Sequence, residues 1–260
     1  MVERTSYIDG EPCWADIMAR DPEAARDFYQ KVFGWTYQIG GPESGGYALC
    51  LADGKPVAGL MPWQSQMGDI PPHWALYLST AQTDETAQAI TASGGRIMVE
   101  PMDVPGSGRM AFGADPAGAA FGVWQPEGHL GFASTGGLGA FAWAELNTRE
   151  SAAADRFYHG LFGYEQRQIG QGDFDYTVWS LAGKEICGRM LMPPEMGDVP
   201  PHWMIYFGVD DTDAAIVRVT EAGGALRYPP HDSPYGRLAG VSDPEGAAFC
   251  IVGLTPNTAS

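Results

Sequence analysis

The chain is short of cysteine, of lysine and of long apolar runs, and each shortage closes off a class of protein. It holds four cysteines (Cys13, Cys50, Cys187, Cys250) with no CxxC pair. Neither a disulfide framework nor a cysteine zinc site is expected, and the thiols read as reduced and mostly buried. No apolar run approaches the ~18 residues that a membrane span needs. The opening MVERTSYIDG has no apolar core of the signal-peptide kind, so a cytoplasmic location is expected. Basic residues number 15 against 32 acidic ones, for a net charge of −17. That argues against nucleic acid or an anionic membrane as partner, because both depend on lysine and arginine to neutralise phosphate. The imbalance is not confined to a tail: residues 1–130 carry seven basic and sixteen acidic side chains, residues 131–260 eight and sixteen. It serves solubility and is compatible with a cationic or neutral small-molecule ligand.

What is plentiful points to β structure. Apolar residues make up 45% of the 260, charged residues only 18%, and there are 35 glycines and 20 prolines. This is a core-forming composition with many tight turns, hence many short strands.

The chain also repeats itself. MGDIPPHW (67–74) returns as MGDVPPHW (196–203), displaced by 129 residues. At that displacement Trp14 falls on Trp143, Phe28-Tyr29 on Phe157-Tyr158, and Phe33-Gly34 on Phe162-Gly163. After a one-residue deletion Arg109 falls on Arg237 and DPAGAAF (115–121) on DPEGAAF (243–249). A period above 100 residues means duplicated domains rather than a solenoid. The expected boundaries are 10–127 and 139–254, joined by a linker around 131–139.

Each copy reads as two βαβββ modules. A strand (13–19; 142–146) leads to a helix capped by Asp21 with Pro22 at its first position. Apolar residues at Ala25, Phe28, Tyr29, Val32 and Phe33 give that helix one buried face, and Gly34 ends it. Strands follow at 35–39, 46–52 and 55–63, with Asp53-Gly54 as a tight turn. The second module starts at PPHW, continues through a helix capped by Thr83 or Thr212, and ends in three strands within 96–124 and 225–252. The fold class is therefore α+β: two cupped, mainly antiparallel sheets with their helices on the outer, convex face.

This grammar resembles the vicinal oxygen chelate (VOC) superfamily, which includes glyoxalase I, extradiol dioxygenases and bleomycin-binding proteins. The carriers are FYQKVFGW (28–35), FYHGLFGY (157–164) and the DPxGAAF turn. The pairing of W-x-[DE] on the first strand with PPHW is similar to two-domain, glyoxalase-like actinobacterial proteins, among them accessory proteins of anthracycline clusters. In metal-using members, His or Glu stands at inward positions of the first and last strand of each module. The resemblance puts Trp14, Trp143, Gly122 and Cys250 at those positions. Tryptophan and glycine offer no ligand, and a lone cysteine is a poor partner in an oxygen-chelating site. The middle strands, 57–63 and 185–192, have no His or Asp near their centres. No metal and no cofactor are expected.

Side chains two apart on a strand share a face, so Asp16 accompanies Trp14 and Glu145 accompanies Trp143. A buried carboxylate needs a partner: Arg109 or Arg237 in one reading, a ligand's amine in the other. Trp63, Tyr77, Trp124 and Tyr206 would complete aromatic walls suited to stacking and cation–π attraction. His73 and His202 would stand at the rims, as strand-entry residues bonded to backbone or as donors to a ligand. The leading expectation is a metal-free protein that binds an aromatic, cationic natural product, for sequestration and self-resistance or as an accessory to a tailoring oxygenase. The alternative is a lyase, isomerase or hydroxylase-like enzyme using a metal or acid–base residues in the cup. One chain already holds both halves of a paired site, so a monomer suffices and a homodimer stays open.

Overall fold

The computed structural model describes residues 1–65, 68–170 and 174–254, so Met67 of the first repeat motif lies outside the described residues. A short β1 (Val2–Glu3) precedes the first repeat: β2 (Pro12–Ala19), α1 (Pro22–Phe33), β3 (Thr36–Ile39), β4 (Ala48–Ala52) and β5 (Lys55–Pro62), then β6 (His73–Ser79), α2 (Thr83–Ala92), β7 (Arg96–Val104), β8 (Gly108–Ala114) and β9 (Ala120–Pro126). The linker contributes β10 (Ser134–Thr135), which pairs with β1. The second repeat is β11 (Phe141–Thr148), α3 (Ser151–Phe162), β12 (Glu165–Gln168), β13 (Tyr176–Leu181) and β14 (Lys184–Leu191), followed by β15 (His202–Val209), α4 (Thr212–Glu221), β16 (Ala225–Ser233), β17 (Gly236–Ser242) and β18 (Ala248–Gly253). Each repeat forms one open eight-stranded sheet, ordered β3-β4-β5-β2-β6-β9-β8-β7 and, equivalently, β12-β13-β14-β11-β15-β18-β17-β16. The modules join at antiparallel β2–β6 and β11–β15, while β2–β5, β6–β9, β11–β14 and β15–β18 run parallel.

Local chemistry sets the elements. Asp21 caps α1 by accepting from the amides of Glu23 and Ala24, and Gly34 ends it at φ 74. That is a left-handed cap which glycine adopts at little cost. Asp53-Gly54 and Ala182-Gly183 both take positive φ at both residues, the geometry of a twist-matched hairpin turn. The second helix of each repeat starts differently from expectation. Asp211 caps α4, accepting from the Ala214 amide, and Gln82 precedes α2. Thr83 and Thr212 are the first helical residues, and their hydroxyls donate to the carbonyls of Arg109 and Arg237 on the sheet. Each threonine thus stands one residue past the capping position and ties the helix start to the sheet instead.

Alternation along β2 sends Cys13, Ala15 and Ile17 toward the helices and Trp14, Asp16 and Met18 into the cup. The helix-bearing faces of the two sheets meet, and the motifs that announced the repeat meet there. Trp74 Nε1 donates to Tyr29 OH at 3.1 Å, and Tyr29 OH donates to Asp243 Oδ2 at 3.0 Å. Trp203 Nε1 donates to Tyr158 OH at 3.0 Å, and Tyr158 faces Asp115, whose Oδ2 makes no hydrogen bond of regular geometry. Asp115 and Asp243 Oδ1 accept two backbone amides each within their own turns. Each first-module helix thus reaches the final turn of the other domain. Tyr29→Phe removes a donor from Asp243 and an acceptor from Trp74, and is expected to cost about 1–3 kcal/mol in urea unfolding. Tyr158→Phe should cost less, because the bond to Asp115 is not closed; equal losses would contradict this geometry.

Candidate functional site

Each cup is built around a carboxylate, a tryptophan and two tyrosines, at equivalent positions of the repeat. In the first, Trp14 Nε1 donates to Tyr47 OH at 2.8 Å, and the hydroxyls of Tyr47 and Tyr77 donate to Asp16 Oδ2 at 3.3 and 3.2 Å. In the second, Trp143 Nε1 donates to Tyr176 OH at 3.0 Å, and the hydroxyls of Tyr176 and Tyr206 lie against Glu145. Asn147 Nδ2 adds a bond to Glu145 Oε1 at 3.1 Å. Register explains the gathering: Trp14 pairs with Tyr77 across β2–β6 and Trp143 with Tyr206 across β11–β15. Tyr47 and Tyr176 arch over Gly59 and Gly188, where an added Cβ would stand 1.8 and 2.2 Å from the phenol oxygens. Glycine is required there because the ring occupies the place of a side chain.

Sequence reasoning missed Tyr47, Tyr176 and Asn147. The signal was available for the tyrosines, which coincide at the same 129-residue displacement as the tryptophans.

Both carboxylates are buried, Asp16 at 4% exposure and Glu145 at 6%. Burial raises Asp16 to about 7 and Glu145 to about 6, against the tyrosine hydroxyls (and, for Glu145, the Asn147 amide), which favour the ionised form. No basic side chain contributes to either shift. The expected ion pairs with Arg109 and Arg237 are therefore not formed. On β8 the cup-facing residues are Met110 and Phe112, opposite Trp124 and Gly122, so Arg109, one position before Met110, points to the other face, toward α2. There Arg109 binds Asp84 and Asp103, and Arg237 binds Asp213 and Asp232. Arg189, the buried arginine of the second sheet, also faces the helix side, where it pairs with Asp155 and Asp175.

The remaining candidates lie around the rims. His73 and His202 share the cup faces of β6 and β15, and each Nδ1 donates to a proline carbonyl two residues back, Pro71 and Pro200, at 2.9 and 2.8 Å. Burial lowers His202. Trp63 follows β5 with the Arg20 guanidinium 5.0 Å above its ring. Trp124 faces the first cup and donates to the His129 carbonyl at 2.9 Å.

In the first cup, positions at which metal-using relatives would place ligands are taken by other side chains. The Tyr77 ring lies across Gly122, where a Cβ would meet it at 2.2 Å, so it covers the point from which a carboxylate ligand would extend. Trp14 and Trp143 fill the facing positions. Among the described residues no group of three His, Cys, Asp or Glu could hold a metal ion, and no helix is long and apolar enough to cross a membrane.

Comparison with known proteins agrees with the fold. The family described as Glyoxalase/Bleomycin resistance protein/Dioxygenase superfamily matches residues 13–123 and 140–251. The chain is 36% identical over 264 residues to the anthracycline biosynthesis protein DnrV of Streptomyces peucetius, a match covering 96% of this chain and 95% of that one. Identity and coverage are the same for the anthracycline biosynthesis protein DauV of a Streptomyces species. Among solved structures, the Mn(II)-bound glyoxalase from Novosphingobium aromaticivorans superposes with a TM-score of 0.66 at 17% identity, covering 94% of this chain and 82% of that one.

Proposed function

The chain belongs to the glyoxalase/bleomycin resistance protein/dioxygenase superfamily, and from that premise we propose that it binds a planar aromatic, amine-bearing small molecule without using a metal. The observation that carries this reading is a buried carboxylate in each cup, walled by tryptophan and tyrosine, with no cation among the described residues to match it. An alkylammonium group would supply the missing charge, and the indole and phenol rings would supply stacking and cation–π attraction. The similarity to anthracycline biosynthesis proteins makes an amine-bearing anthracycline a natural first probe. The biological role would be sequestration of such a compound, or its presentation to a tailoring oxygenase.

Titration with daunorubicin and with its amine-free aglycone tests the reading. The glycoside should bind more tightly. Its affinity should rise as pH passes about 6, where Glu145 ionises, since the carboxylate attracts the amine only when charged. Glu145→Gln should weaken binding about tenfold or more, the worth of one charge-assisted hydrogen bond, and should remove that pH dependence. Equal affinity for glycoside and aglycone at every pH would refute the amine as the recognised group.

A further inference from the structure

The two cups carry the same quartet, but among the described residues they are not equally covered. In the first, the linker folds over the mouth. The His129 ring meets the Trp14 ring edge-on at 4.4 Å, the His129 carbonyl takes the Trp124 indole bond, and Phe132 lies 5.4 Å from Trp14. Phe112 fills the neighbouring space, 5.8 Å from Tyr77. Trp14 and Tyr77 are left at 5% and 8% exposure.

In the second cup, Trp143 has no ring contact among the described residues, and Trp143 and Tyr206 are half-buried. The position of Phe112 is taken by Gly240. Tyr228 lies over it, its ring Cδ2 2.4 Å from where a Cβ would be, and is 41% exposed. Phe174 stacks on Tyr176 at 5.7 Å. The floor is also more polar, with Asn147 bonded to Glu145 where the first cup has Met18. On this side Arg167 is matched by Glu185 and meets Tyr235 of the β16–β17 turn. Among the described residues, no basic side chain acts on Glu145.

Resting on the small-molecule reading above, we infer that the second cup is the sole ligand site. One amine-bearing aromatic per chain would stack along Trp143, Tyr206 and Tyr228 and direct its amine to Glu145. The first cup is a filled counterpart that braces the sheet, with His129 as its plug.

Hydroxyl-radical footprinting of the free and daunorubicin-treated protein, read by peptide mass spectrometry beside a binding titration, tests this. In the free protein, the Trp143 and Tyr228 peptides should oxidise several-fold faster than the Trp14 peptide, as solvent access dictates. With daunorubicin they should be protected at one equivalent per chain, with the Trp14 peptide unchanged. His129→Ala should raise oxidation of Trp14 without altering that of Trp143. Two equivalents bound, protection of Trp14, or equal oxidation of Trp14 and Trp143 in the free protein would each overturn the inference. If no daunorubicin binds while the free footprint is unequal, the ligand reading fails and the second cup stands as the accessible one.

Discussion

Asp16→Asn is expected to make the protein more stable above pH 7 than the parent, by up to about 4 kcal/mol if the whole shift is expressed. The sign follows from the folded carboxyl being raised by burial, from its usual 3.8 to about 7. The native state then holds a proton that the unfolded chain has already released. Between about pH 4 and pH 7, stability therefore falls as pH rises, and above that window the native state carries a buried charge supported only by two phenols. Asparagine keeps the shape and can bond both tyrosines without the charge. Urea unfolding at pH 4, 5.5, 7 and 8.5 should give curves that lie close at the acid end and separate toward pH 8.5. Parallel curves would show that Asp16 ionises on folding as easily as in water. Glu145, raised to about 6, adds a smaller slope of the same sign in both proteins.

Trp35→Ala is expected to lose about 3–5 kcal/mol, the cost of emptying a large buried aromatic site. Trp35 is fully buried where the domains meet, 5.4 Å from the Tyr29 ring and 5.5 Å from Phe207, and its Nε1 donates to the Gly139 carbonyl at 2.7 Å. The opposite copy makes the same stitch with another residue: Tyr164 OH donates to the Gly10 carbonyl at 2.6 Å. Trp35→Phe should recover most of the packing and lose the hydrogen bond. A loss below about 1 kcal/mol for the alanine variant in urea unfolding would mean that the joint is not close-packed.

The strands, the helices and their order were legible because the chain states them twice: Phe28-Tyr29 and Phe157-Tyr158 fix one helical face, and Asp53-Gly54 fixes one hairpin. Placing Trp14 beside Asp16, and Trp143 beside Glu145, needed only strand alternation. Three things needed the register, which no single strand contains. Arg109 sits on the cup's own sheet but faces the other way. Tyr47 reaches Asp16 only because Gly59 lets its ring cross the neighbouring strand. The partner of Tyr29 is Asp243 rather than Asp115, since a duplicated motif does not say which copy completes it. His129 was hidden for a simpler reason: it lies in a linker that the repeat does not cover.

The crossed stitches, Tyr29 to Asp243 and Trp35 to Gly139, have a consequence for divergence. In a symmetric pair of separate subunits, any substitution arrives twice and both clefts must change together. Here the two halves are one gene product, held by contacts away from either cleft, so a change such as phenylalanine to glycine can be tried in one half while the other goes on as scaffold.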